Sequence, residues 1–100
     1  MLSYFERSFF MNKSIYNYAD NVSYQTTGDN IMVVNPETNK VYILGEIESM
    51  IWSLIPNHTF DSILYCIQES YEGDDIAYDL SNFLDALLEK QLIHLYLPEN

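Results

Sequence analysis

The spacing of apolar residues predicts an α+β domain in which the strands come first and the helices follow. Two observations carry this. Up to residue 44 the chain consists of short β-branched and aromatic runs separated by turn residues, and beyond Gly45 the apolar period lengthens from two residues to about 3.6. A third observation sets the scale: 100 residues with 48% hydrophobic content can bury one small core, and are too few for two.

Taken in order, residues 1–19 are polar and aromatic by turns, with no sustained period, and read as a weakly ordered arm or short helix ahead of a domain spanning residues 20–97. "VSYQT" and "IMVV" then read as two strands joined by "TGDN", whose residues suit a tight hairpin. A second hairpin follows through "NPETNK", where Pro36 fixes φ and the asparagines tolerate left-handed backbone, and it returns along Val41, Tyr42, Ile43 and Leu44. Three antiparallel strands result.

Past Gly45, Ile47, Met50, Ile51, Leu54 and Ile55 recur on one face of a first helix, which Pro56 ends. Thr59 is placed to cap a second helix whose stripe is Phe60, Ile63, Leu64, Ile67 and Tyr71, and Gly73 closes it. Asp74 or Asp75 caps a third, with Ile76, Leu80, Phe83, Leu84, Leu87 and Leu88 on its apolar face. Ile93, Leu95 and Leu97 alternate with other residues and suggest a short extended tail. Three helices with a tight turn between the second and third, preceded by a hairpin, have the outline of a winged helix-turn-helix.

Charge argues against the usual use of that outline. Only Arg7, Lys13, Lys40 and Lys90 are basic, against fifteen acidic residues, for a formal net charge of -11. Phosphate backbones are repelled by such a field, and direct base reading depends on Arg and Lys. A basic or neutral partner is favoured instead. A single cysteine, Cys66, and the lack of a signal-like apolar run at the start point to the cytoplasm, so the sequons at Asn12, Asn21 and Asn57 carry little weight. No apolar run approaches the roughly 20 residues that cross a bilayer.

Catalytic signals are missing. Cys66 sits at the margin of an apolar stripe, and the two histidines, His58 and His94, share no ligand or nucleophile spacing with it. The acidic cluster at residues 72–75 lacks the alternating ligands of a calcium loop and reads as a helix stop followed by a cap. No Gly-rich phosphate loop is present. The chain is expected to be no enzyme and to need no cofactor or metal.

The stretch "VVNPETNKVYILGEIESMIWSLIPNHTFDSILYCIQESY", continued by "DLSNFLDALLEKQLI", resembles the PqqD-like proteins, or RiPP recognition elements. "YIL" leading into "GEIESMIWSLI" matches the family's strand-to-helix passage, with Trp52 and Leu54 at the expected places. "TFDSI" resembles the opening of its second helix, and Asp79, Phe83, Leu84, Leu87, Leu92 and Ile93 fall on the pattern of its third. The likeness covers about residues 22 to 93, as a spacing of apolar positions more than a rigid motif. Gln91 stands where the family usually has Gly, and Glu48 where a small residue is common.

The resemblance implies that the chain binds the leader segment of a ribosomally made precursor peptide and delivers it in trans to a larger modifying enzyme or leader protease, of the radical SAM or lasso-peptide type. It also implies a place: strand addition along Val41, Tyr42, Ile43 and Leu44, in a groove walled by the third helix. Helical projection puts Asp79, Ala86 and Lys90 beside Phe83 and Leu87 on that helix's flank. Backbone pairing supplies affinity and side-chain pockets supply selectivity in this mode. Two other readings stand beside it, an acidic protein–protein interaction or regulatory subunit and a winged-helix DNA-binding regulator.

Overall fold

In the computed structural model the described residues are 14–71, 73 and 75–96. Nine elements run along them: β1 (Ile15–Tyr18), β2 (Ser23–Thr27), β3 (Asn30–Asn35), β4 (Lys40–Leu44), α1 (Glu46–Leu54), β5 (His58–Thr59), α2 (Phe60–Gln68), α3 (Ile76–Glu89) and β6 (Ile93–Tyr96). The expected meander is present as an antiparallel sheet in the order β2-β3-β4, and the three helices follow it.

Its turns follow from local chemistry. Gly28 opens the two-residue β2–β3 turn at φ +66, the geometry of a type II′ hairpin, and Asn39 takes φ +58 where the β3–β4 turn rejoins the sheet. Ile31, Val33 and Asn35 are buried along β3 and alternate with half-exposed neighbours, so one sheet face is core. Opposite them, Ile31 pairs with Leu44, Val33 with Tyr42 and Asn35 with Lys40.

A second sheet was not expected. Its order is β5-β1-β6, with β1 antiparallel to both neighbours, Tyr16 lying between His58 and Leu95. Ile15–Tyr18, read from the sequence as the end of the arm, are thus a central strand, and Tyr16 is fully buried. Residues 1–13 of that arm lie outside the described residues, as do Asp74 and residues 97–100. The sheet escapes a reading of the sequence because β5 has two residues and β1 only four, too few for a period to register.

The helices cover the sheets. Thr59 caps α2, its Oγ1 accepting from the Ser62 N–H at 3.1 Å. α2 is shorter than its apolar stripe suggested: it ends at Gln68, and Ser70 and Tyr71 both donate back to the Ile67 carbonyl. Trp52, Ile55, Ile63, Leu80, Leu84, Leu92 and Ile93 are almost wholly buried and join the elements into one core. Tyr18 stacks on Trp52 with ring centroids 4.5 Å apart, and its hydroxyl donates to the Trp52 carbonyl at 2.6 Å.

Two buried polar side chains, each with two hydrogen bonds, then position β4 and α3. The buried Ser49 hydroxyl accepts from the Ile31 N–H at 3.0 Å and donates to the Leu44 carbonyl at 3.2 Å, tying α1 to the ends of β3 and β4. At the other end Asn35, 3% exposed, accepts from the Glu37 N–H at 3.0 Å and donates through Nδ2 to the Lys90 carbonyl at 3.2 Å. The hairpin turn and the C-cap carbonyl just past α3 share that one side chain. α3 itself ends in a Schellman motif: Leu92 N–H reaches the Leu87 carbonyl, Gln91 N–H the Leu88 carbonyl, and Gln91 takes φ +59. The glutamine in place of the usual glycine leaves the cap intact and pays a steric cost for it.

Replacing Gln91 by glycine is therefore expected to raise stability by about 1 kcal/mol, a gain of roughly 4–8 °C in melting temperature. Asn35→Asp keeps the acceptor for Glu37 and sets a carboxylate oxygen against the Lys90 carbonyl; a loss of about 1–3 kcal/mol is expected, with amide exchange accelerated first in the last turn of α3. Burial, and then the neighbouring Tyr24, push the Tyr18 phenol above its ordinary value of 10.0. The unfolded chain therefore releases this proton first, so stability falls as the pH rises above 10, and Tyr18→Phe should flatten that part of the denaturant midpoint's pH profile.

Candidate functional site: a groove between an unpaired strand edge and a helix

Among the described residues β4 pairs with β3 alone, so its other edge carries unpaired backbone N–H and C=O groups. That edge faces α3 across a recess of about 340 Å³, lined by Val41, Tyr42, Ile43, Leu44, Glu48, Phe83, Ala86, Leu87, Lys90 and Leu92. Eight of the nine residues singled out in the sequence thus border one space. The strand's alternation settles which face is which: Leu44 is buried and Tyr42 half-buried on the side of the core, whereas Val41 and Ile43 are 56% and 62% exposed on the opposite face.

The floor is apolar. Leu44, Leu87 and Leu92 are buried at its base, and Phe83 and Ala86 form the half-buried helical wall. Lys90 stands at the hairpin end, its Nζ 5.8 Å from the centre of the Tyr42 ring, so a cation and an aromatic face span the groove there.

Asp79, the ninth residue, lies apart from the other eight. It lines an adjoining recess of about 460 Å³ under the N-terminal half of α3, with Ile47, Glu48, Ile51, Ile67, Tyr71, Gly73, Asp75, Ile76, Leu80 and Phe83. Phe83 and Glu48 belong to both recesses. Two turns of helix separate Asp79 from Ala86, so no single pocket holds both. Glu48 and Leu92 were missed in the sequence, as was the second recess. Glu48 is exposed in the first turn of α1, where its carboxylate accepts from the Gly45 N–H at 2.9 Å. The helix start at Gly45 was legible and would have placed this residue next to the end of β4.

This arrangement offers backbone pairing and apolar contact. Among the described residues no cluster of three His, Cys, Asp or Glu is placed to hold a metal ion, and no helix is long and apolar enough to cross a membrane. Cys66 is half-buried on α2 and lines neither recess.

Comparison with solved structures finds the same fold in TbiB1, determined in complex with the TbiA(beta) leader peptide: the TM-score is 0.74 at 27% sequence identity, over 78% of this chain and 94% of that one. No curated protein matches the sequence. The model of the family described as coenzyme PQQ synthesis protein D (PqqD) matches residues 30–93, the span that holds β3, β4, all three helices and both recesses. The chain belongs to the PqqD family.

Proposed function

We propose that this chain binds the leader segment of a ribosomally made precursor peptide as an added strand on β4, does no chemistry on it, and presents it in the cytoplasm to a larger modifying enzyme or leader protease. The observation that carries the reading is the unpaired β4 edge lying beside an apolar recess against α3, in a chain of the PqqD family that shares its fold with a leader-peptide complex. An extended peptide entering there gains main-chain hydrogen bonds from the strand and buries alternate side chains against the helix.

Each proposed contact has a part in this. Val41, Tyr42, Ile43 and Leu44 supply the backbone ladder. Phe83, Ala86 and Leu87 form the apolar wall, and Lys90 and Asp79 mark the two ends. The other edge of the sheet is a poorer host: all five residues of β2 are exposed, and they are mostly Ser, Thr and Gln. A strand added to β2 gains a ladder set among mostly polar side chains. A radical SAM enzyme and a lasso-peptide protease are both destinations consistent with a small carrier that acts in trans.

The test is a titration of the fluorescein-labelled leader peptide from the precursor encoded nearest this chain. Phe83→Ala is expected to weaken binding by about tenfold or more, through loss of apolar contact at the wall. Ala86→Trp should abolish it by filling the recess, while Tyr65→Ala, at an exposed position on α2, should leave it unchanged. Unaltered affinity in both groove variants would refute the site.

A further inference from the structure

The described lysines sit at one end of the groove and Asp75 and Asp79 at the other, with Glu48 between them. Lys90 borders the first recess at the hairpin end, and Lys40 begins β4 there, tethered next to it through the Asn35 pairing and the Asn35–Lys90 contact. No other lysine or arginine is described. At the far end, past Leu44, the second and larger recess has an apolar floor of Ile51, Ile67 and Leu80, each 4% exposed or less, and a rim bearing the carboxylates of Asp75 and Asp79, with Glu48 where it joins the first recess. Glu48 shares its charge with the Gly45 N–H. Asp75 precedes α3 without a side-chain capping bond, so capping does not account for its carboxylate. The two recesses meet at Phe83 and Glu48, which makes the far one a continuation of the groove.

We infer that the two recesses are read as one bipolar groove: the bound peptide sets a bulky aliphatic or aromatic side chain into the far recess with a lysine or arginine beside it, against Asp75 and Asp79, and an acidic residue at the opposite end toward Lys90. This rests on the peptide-binding reading and adds what that reading lacks. A backbone ladder alone specifies neither register nor direction, since every residue offers the same donor and acceptor. Opposite charges at the two ends specify both, because a reversed peptide meets like charge twice.

The test uses the full chain as bait for a displayed library of random linear peptides long enough to cover both recesses. Expected is a family of enriched binders with an apolar residue next to Lys or Arg toward one end and Asp or Glu toward the other. Binders resynthesised with the two charges exchanged should bind about three- to tenfold more weakly. Selection on Asp75→Asn/Asp79→Asn should retain the apolar residue and lose the basic one, and Lys90→Glu should replace the acidic preference by a basic one. Binders that Ala86→Trp displaces but that show no charge preference would overturn the bipolar groove and leave peptide binding standing. No enrichment at all would overturn both.

Discussion

The fold hangs on one buried amide. Asn35 closes the β3–β4 turn with its oxygen and holds the Lys90 carbonyl, at the C-cap of α3, with its nitrogen, so a hairpin and a helix far apart in sequence are kept at one separation. Wider, and the apolar floor of Leu44, Leu87 and Leu92 would be wetted; narrower, and the edge of β4 would be sealed by the helix. Ser49 fixes the other end of the same strand through the Ile31 N–H and the Leu44 carbonyl. Between these two clamps β4 is anchored along one side and left open along the other. Buried polar groups that find both partners hold such a geometry more sharply than apolar packing does.

An open strand edge with exposed Val41 and Ile43 is a hazard, since it can pair with any extended chain, including another copy of itself. The chain meets that hazard with charge. A net of -11 makes copies repel, and Lys40 occupies the first position of the strand. The contrast with β2 is informative, because apart from Tyr24 its residues are Ser, Gln and Thr. Retaining aliphatic residues on one edge and not on the other fits an edge that is kept for use.

Much of this was legible in the residues. The switch of period at Gly45 separates sheet from helices, the turn residues locate both hairpins, and Thr59 announces α2. Projection of α3 puts Phe83, Ala86, Leu87 and Lys90 on one flank, and they do share a recess. Asp79 lies on the same flank by angle yet in the next recess, because projection discards the rise along the axis, and 1.5 Å per residue accumulates over seven residues to about 10 Å. The second sheet was illegible for a different reason. β1 and β5 are specified by Tyr16 packing into the core and by pairing with β6, which are long-range facts with no local period. The expectation of an arm through residue 19 fails at Ile15–Tyr18 on that account. The expected extent of α2 overran because Tyr71 keeps the apolar spacing after the backbone has left the helix.

The indole of Trp52 occupies the centre of the core, wholly sheltered from water, flanked by Tyr18 at 4.5 Å and by Tyr24 edge-on at 5.6 Å. It lines neither recess. As the sole tryptophan, with two phenols close enough to pass it their excitation, it makes intrinsic emission a gauge of whether the interior is intact and nearly blind to what occupies the cleft. Melting curves can thus be recorded optically on the untouched polypeptide, whereas a fluorescence assay of capture carries its chromophore on the captured strand.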